Sequence, residues 1–295
     1  MKPSAGSDLS IGPAGALYEM MREHGRAFVL VDRFSHNPLQ NEIAALPSVE
    51  RPQWFPLSDP IFGDAPERSP ALLELRRSCA SHVQLLDRSL ELSLQELSHP
   101  GQARALCAWV FAVAEAGELA RGMTRGLDAW ADGKRIYLRY FDPRVMPRLV
   151  QLLDGTAANL IAPAIAWCQL GRRGEWMRFD VHPSPGIERI SRMDRLQNEA
   201  IERIEAINKI AARLALEGVH LGHERDEEVD GALRAARKVG LIESDDQETY
   251  ALHCMRHGDS FSRHPGLGEW VMNCQRTGLP FAAVLAAGEP RLATD

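Results

Sequence analysis

The spacing of apolar residues changes character part-way along the chain. From Ala27 to about Phe179, short apolar runs alternate with stretches of helical spacing, the pattern of a mixed α/β lobe. Val83, Leu86, Leu90 and Leu94 lie on one stripe and predict a helix over 81–97. A second helix is predicted over 115–127. Asp132-Gly133 is a hairpin signal, because glycine accepts the positive φ that tight two-residue turns need. Ile136, Leu138 and Tyr140 then alternate with Tyr137, Arg139 and Phe141 as in a strand. Asp142 is suited to cap a helix N-terminus and Pro143 to occupy the first helical position, with Val145, Met146, Leu149, Val150, Leu152 and Leu153 continuing at helical spacing.

His182-Pro183-Ser184-Pro185-Gly186 breaks the pattern and predicts a linker. Beyond it the periodicity is purely helical. Met193, Leu196, Ala200, Ile204, Ile207, Ala211 and Leu214 form a stripe close to heptad spacing, which either packs in a bundle or makes a coiled-coil-like contact with a partner. Further helices are predicted over 227–239, with Gly240 as its C-terminal stop, over 245–255, and in a last apolar segment, 270–285, interrupted by Gly278-Leu279-Pro280. The expected class is α+β: a mobile N-terminus over 1–16, a mixed α/β domain over 17–181 and an all-helical lobe over 187–290.

Composition narrows the function classes. The chain has 295 residues, 45% hydrophobic and 25% charged, ordinary for a soluble globular protein long enough for two lobes. A net charge of −6 argues against a nucleic-acid partner, and no apolar run is long enough to span a membrane. No apolar stretch of a secretory signal follows Lys2 before Asp8. The five cysteines are scattered without CxxC spacing, as expected of reduced thiols in a cytoplasmic protein.

Catalytic signals are sparse. His253 and His257 stand at i and i+4, with Cys254 between them and His264, His220 and His223 elsewhere in the same lobe, a spacing able to hold a metal. The intervening Cys254-Met255-Arg256 lacks the glutamate of a metalloprotease helix. No G-x-S-x-G elbow, phosphate-binding loop or dinucleotide fingerprint is present. The acidic groups Asp226-Glu227-Glu228 and Asp245-Asp246 precede helical patterns, where they favour the helix N-terminus. No catalytic residue, cofactor or metal ligand is therefore assigned. Arg139, Asp142 and Arg144 flank Tyr140-Phe141 more richly than a strand-to-helix corner requires. Either Arg139 and Asp142 pair internally while Arg144 is solvated, or the group rims a protein interface. Trp109 reads as core; Trp54-Phe55, between Pro52 and Pro56, reads as an exposed anchor.

The stretch from Asp132 to Asp154, with Arg139-Tyr140-Phe141-Asp142-Pro143-Arg144 at its centre, resembles the signature of the adaptor-chaperones of the bacterial type VI secretion system. Other pieces follow in the family's order. Ala27 to Asp32 is similar to its opening strand ending in Asp, and Pro60-Ile61-Phe62-Gly63-Asp64 to its phenylalanine-glycine turn. Ser69-Pro70-Ala71-Leu72-Leu73, Ala108-Trp109-Val110-Phe111 and Ala164-Ile165-Ala166-Trp167 complete the likeness, which covers roughly 27–179. The resemblance implies a non-enzymatic cytoplasmic adaptor. It would bind a cognate toxic effector and load it onto a valine-glycine-repeat (VgrG) or PAAR-type spike protein, with Arg139, Phe141, Asp142, Arg144, Trp54, Phe55 and Phe62 as partner-binding residues. Two rival classes remain beside it: a metal-dependent hydrolase using the histidines of the helical lobe, and a structural assembly component built on the long helix.

Overall fold

The computed structural model describes residues 12–34, 36–63, 65–131, 134–182 and 193–288. The chain forms two compact units, Met1–Ile201 and Glu202–Asp295, dividing within a long helix. Of the stretch expected to be mobile over 1–16, residues 1–11 lie outside the described residues, as does all of the predicted linker but His182. Residues 13–16, expected to be part of that mobile stretch, instead open the first helix at Pro13, because Pro13 fits a helix N-terminus.

In the first unit the elements run α1 (Pro13–His24), β1 (Arg26–Val31), α2 (Gln40–Ala45), β2 (Trp54–Pro56), β3 (Ala71–Arg76), α3 (Ala80–Glu96), β4 (Leu106–Phe111), α4 (Ala116–Gly126), β5 (Asp128–Ala131), β6 (Lys134–Tyr137), α5 (Met146–Leu153), β7 (Ala166–Leu170) and β8 (Trp176–Asp180). Six strands make one sheet in the order β2-β3-β1-β4-β7-β8, and all its pairings are antiparallel. β5 and β6 form a separate hairpin with Ala131 opposite Lys134, so its loop holds the two residues Asp132 and Gly133, which lie outside the described residues.

The inner strands read as continuous apolar runs because both faces of the sheet are covered. On one face Ala27, Val29 and Val31, Leu73 and Leu75, Trp109 and Phe111, and Ala166, Cys168 and Leu170 join Leu17, Met20 and Met21 of α1 and Leu85, Leu86 and Leu90 of α3 in one core. The Trp109 indole N–H donates to Ser89 Oγ at 2.8 Å, so this core tryptophan is also satisfied as a donor. On the opposite face Trp167 packs 6.1 Å from Tyr140, and the Tyr140 hydroxyl donates to the Met123 carbonyl of α4 at 2.8 Å. Gly122 and Gly126 face the 160–163 backbone so closely that a Cβ on either would meet a carbonyl oxygen at 2.2 Å.

The sequence places the helices well, but the corner after the hairpin differs. β6 ends at Tyr137; residues 138–145 are irregular, with a turn at 142–145, and α5 starts only at Met146, with Pro147 rather than Pro143 in its first turn. Asp142 accepts backbone N–H groups, as a cap would, but for the turn that precedes the helix. Leu94, expected on the buried stripe of α3, is half exposed, and Leu85 fills that role instead.

The second unit is helical. α6 (Arg195–Leu216) spans the division; α7 (Asp226–Lys238), α8 (Ser244–His257), α9 (Asp259–Ser262), α10 (Leu267–Thr277) and α11 (Phe281–Gly288) follow. Ile207, Ile210 and Leu214 pack with Val229, Leu233 and Leu252, while Tyr250, Phe261, Trp270 and Phe281 belong to a second cluster. Leu196, the first full turn of the predicted stripe, is exposed. Gly240 and Gly278 adopt positive φ where α7 and α10 stop. Asp246 ties α8 to α11 by accepting the Phe281 N–H at 2.7 Å.

Candidate functional site

Asp142 is the centre of the corner that the sequence marks out. Arg144 grips it through Nε to Oδ1 at 3.0 Å and Nη2 to Oδ2 at 2.7 Å, and the Arg144 backbone N–H adds a third bond to Oδ1 at 2.9 Å. Burial pushes the Asp142 carboxyl up, but the Arg144 guanidinium outweighs it and holds the group below the usual carboxylate range. The same pairing raises Arg144 against the downward push of its own burial. Arg144 also donates to the Gln102 carbonyl at 3.1 Å, tying the corner to the loop before β4.

Arg139 has a different principal partner. Its Nη2 donates to Asp32 Oδ2 at 2.9 Å and stands 3.9 Å from Asp142. Asp32 follows β1 directly; its backbone N–H donates to Ala105 O, and its Oδ1 accepts the Phe34 N–H at 3.1 Å. Burial drives the Asp32 carboxyl above its usual range, and the nearby Arg139 only partly opposes this. The expected Arg139–Asp142 pair with Arg144 solvated is therefore corrected: Arg144 holds Asp142 and is mostly covered, while Arg139 pairs with Asp32, because the fold brings the end of β1 to the corner.

These contacts correct part of the expected interface. Phe141 is 1% exposed and Asp142 5%, so neither presents a surface to a partner as the chain is folded. Phe141 instead packs on Tyr137, which packs edge-on against the half-buried Phe62. Phe62 is thus partly committed to holding the hairpin. Arg139 keeps about half its side chain in solvent, Arg144 about a fifth. Trp54 and Phe55 are half-buried on the edge strand β2, and Trp54 packs against the core under α1 and α3.

The loop that Asp32 fixes leads to the concave part of this unit. Arg33, Phe34, His36, Asn37, Gln40, Ile43, Ala44, Arg51, Trp54, Glu67 and Arg68 enclose a cavity of about 610 Å³, within the range of about 300–1,000 Å³ usual for binding sites. Arg33 lies 5.5 Å over the Trp54 ring and Arg68 4.5 Å over the Phe34 ring. Arg33 Nε donates to Ser69 O at 2.9 Å, Arg68 Nε to Phe34 O at 3.3 Å, and Arg51 to the Leu46 and Ala44 carbonyls. Phe34 is 53% exposed despite the Arg68 guanidinium over its ring. Of this lining only Trp54 was singled out from sequence. The available signal was an aromatic beside an arginine in the polar loop immediately after the opening strand.

A second cavity, about 540 Å³, includes Phe55, Arg26, Glu74 and Arg76. Its charges are self-satisfied: buried Glu74 pairs with Arg26 at 3.3 Å and Arg76 at 3.0 Å.

His253, His264 and His223 of the helical unit are held by their neighbours, while His220 and His257 are exposed. His253 stacks on Phe261 at 5.1 Å and lies 5.8 Å from His257, His264 stacks on Trp270 at 4.5 Å, and His223 Nδ1 is 3.2 Å from Asp226. Among the described residues no three His, Cys, Asp or Glu side chains converge as metal ligands, and no helix is long and apolar enough to cross a membrane.

Residues 27–159 match the family model of a domain of unknown function, DUF4123. The match includes β1 to α5, and so the Asp32–Arg139 and Asp142–Arg144 pairs and every residue of the larger cavity. The comparisons with curated proteins and with solved structures give no match.

Proposed function

We propose that this protein is a non-enzymatic cytoplasmic adaptor that binds a cognate type VI secretion effector and loads it onto a VgrG or PAAR-type spike protein. The observation that carries the reading is the open cavity in the matched domain, whose rim combines arginines with Phe34 and Trp54. Aromatic and arginine side chains are the ones enriched where proteins bind one another. The signature corner has a supporting role in this reading. Arg139 holds Asp32, Asp32 holds the Phe34 backbone, and Phe34 stands at the cavity. The resemblance of Arg139-Tyr140-Phe141-Asp142-Pro143-Arg144 to the secretion adaptors supplies the system; the cavity supplies a place for a polypeptide.

The test is co-expression of a tagged copy with each adjacent gene product, followed by affinity capture and size-exclusion chromatography. The expected result is a stable complex with a neighbouring toxin, weakened by Phe34→Ala in a variant that melts as the unaltered protein does. Neighbours that are soluble alone and never co-elute would overturn the adaptor reading.

A further inference from the structure

The cavity's charge is unbalanced in a way that specifies what fills it. Arg33, Arg51 and Arg68 all line it, and their hydrogen bonds among the described residues go to backbone carbonyls. None of the three makes an ion pair with a carboxylate among the described residues, although Glu67 lines the same cavity. The contrast with the second cavity is direct, since buried Glu74 there pairs with both Arg26 and Arg76. Burial lowers the affinity of Arg33 for its proton, and the nearby Glu67 offsets this only in part. Such a group gains when a carboxylate approaches. Between these charges lie Phe34, Ile43 and Trp54.

We infer that the cavity formed by Arg33, Phe34, Ile43, Arg51, Trp54 and Arg68 is a docking site for an acidic polypeptide segment carrying apolar side chains. This rests on the adaptor reading and names the chemistry of its partner. Guanidinium groups engage carboxylates in paired hydrogen bonds while their faces stay stacked on aromatic rings, so the Arg33–Trp54 and Arg68–Phe34 stacks leave donor edges for a ligand. Ile43 and the two rings give the ligand's apolar side chains a place to bury. A polypeptide is favoured over a nucleic acid because the chain as a whole carries a charge of −6, which repels an extended polyanion beyond the cavity mouth. Pro56 ends the three-residue β2 and Pro52 lies two residues before it, so both limit the backbone donors of that sheet edge and side chains set the recognition.

The experiment uses the full chain and a fluorescein-labelled peptide alternating Glu with Leu, read by fluorescence anisotropy. Its Lys-for-Glu counterpart and a single-stranded DNA oligonucleotide serve as competitors. The Glu peptide is expected to bind the unaltered protein, with affinity falling as salt is raised. Arg51→Glu with Arg68→Glu, both exposed positions, should weaken the Glu peptide by about tenfold or more and confer binding of the Lys peptide. That gain cannot come from misfolding. Equal binding of both peptides to the unaltered protein, an unchanged Glu-peptide affinity in the double variant, or tighter binding of the DNA would each overturn the proposal. Co-elution separates the two readings. A neighbouring toxin that co-elutes equally with the unaltered protein and the double variant leaves the adaptor reading standing and removes the cavity from it. Glu-peptide binding without any co-eluting neighbour supports the cavity and overturns the adaptor.

Discussion

Arg139 reaches back 107 residues to Asp32, closing on its Oδ2 at 2.9 Å, while the other oxygen of the same carboxylate holds the Phe34 N–H. One carboxylate thus joins the corner after the β5–β6 hairpin to the loop that lines the larger cavity. Removing it should loosen that loop before it unfolds the domain. In Asp32→Ala, the Phe34 amide is expected to lose its protection from hydrogen exchange while amides of β1 and β4 keep theirs. The global cost should be about 1–3 kcal/mol, the range for hydrogen bonds to charged groups. Unchanged exchange at Phe34 would contradict the link.

The two arginines of the corner should differ in weight. Arg144 is the close partner of a carboxylate that is 5% exposed, so Arg144→Ala strands a buried charge and should cost about 3–5 kcal/mol. Arg139 is half in solvent, and Arg139→Ala should cost about 1 kcal/mol. Urea unfolding of the two variants orders them; equal midpoints would refute the assignment of partners.

The two aspartates should titrate on opposite sides of the ordinary carboxylate value of about 3.9. Asp142 is lowered in the folded state, so its stabilisation is complete above the unfolded value and is lost as pH falls through its folded one. Asp32 is raised, so its contribution is complete below the unfolded value and is lost as pH rises through its folded one. Acidification from neutrality should therefore first relieve Asp32 and only then undermine Asp142. Carboxyl carbon chemical shifts followed with pH are expected to show Asp32 protonating well before Asp142; the reverse order would refute it.

Gly122→Ala offers a test of packing in α4. Alanine normally favours a helix interior over glycine by about 1 kcal/mol. Here the added Cβ would meet Ala162 O at 2.2 Å and Pro163 Cδ at 2.6 Å, and backbone cannot move aside cheaply. The substitution should destabilise by about 1–3 kcal/mol, measured as a lower Tm. A stabilised variant would show that α4 and the 160–163 segment are not in close contact.

Much of this architecture was legible one element at a time. The helices over 80–96, 116–126, 226–238 and 244–257 follow from local periodicity, because a helix presents its buried face at fixed spacing along the chain. Gly240 and Gly278 end their helices for reasons contained in a single residue. The burial of Trp109 likewise follows from the apolar run around it.

What needed the tertiary structure is everything that depends on distant partners. Apolar runs do not state their neighbours, and the order β2-β3-β1-β4-β7-β8 joins strands far apart in sequence. The corner shows the same limit: Arg139 and Arg144 both lie near Asp142, yet only the fold brings Asp32 to Arg139 and leaves Asp142 to Arg144. Phe141 looked available because alternation near a strand end does not reveal what covers it. The larger cavity is the extreme case. Its lining comes from the loop after β1, from α2, from the stretch before β2, from β2 and from the turn before β3, segments whose side chains meet only when the sheet edge and the Asp32 loop are in place. The sequence by itself determined which segments are helix or buried strand, since that is settled by neighbours along the chain. The fold alone decided which charges are paired with which, since that is settled by neighbours in space.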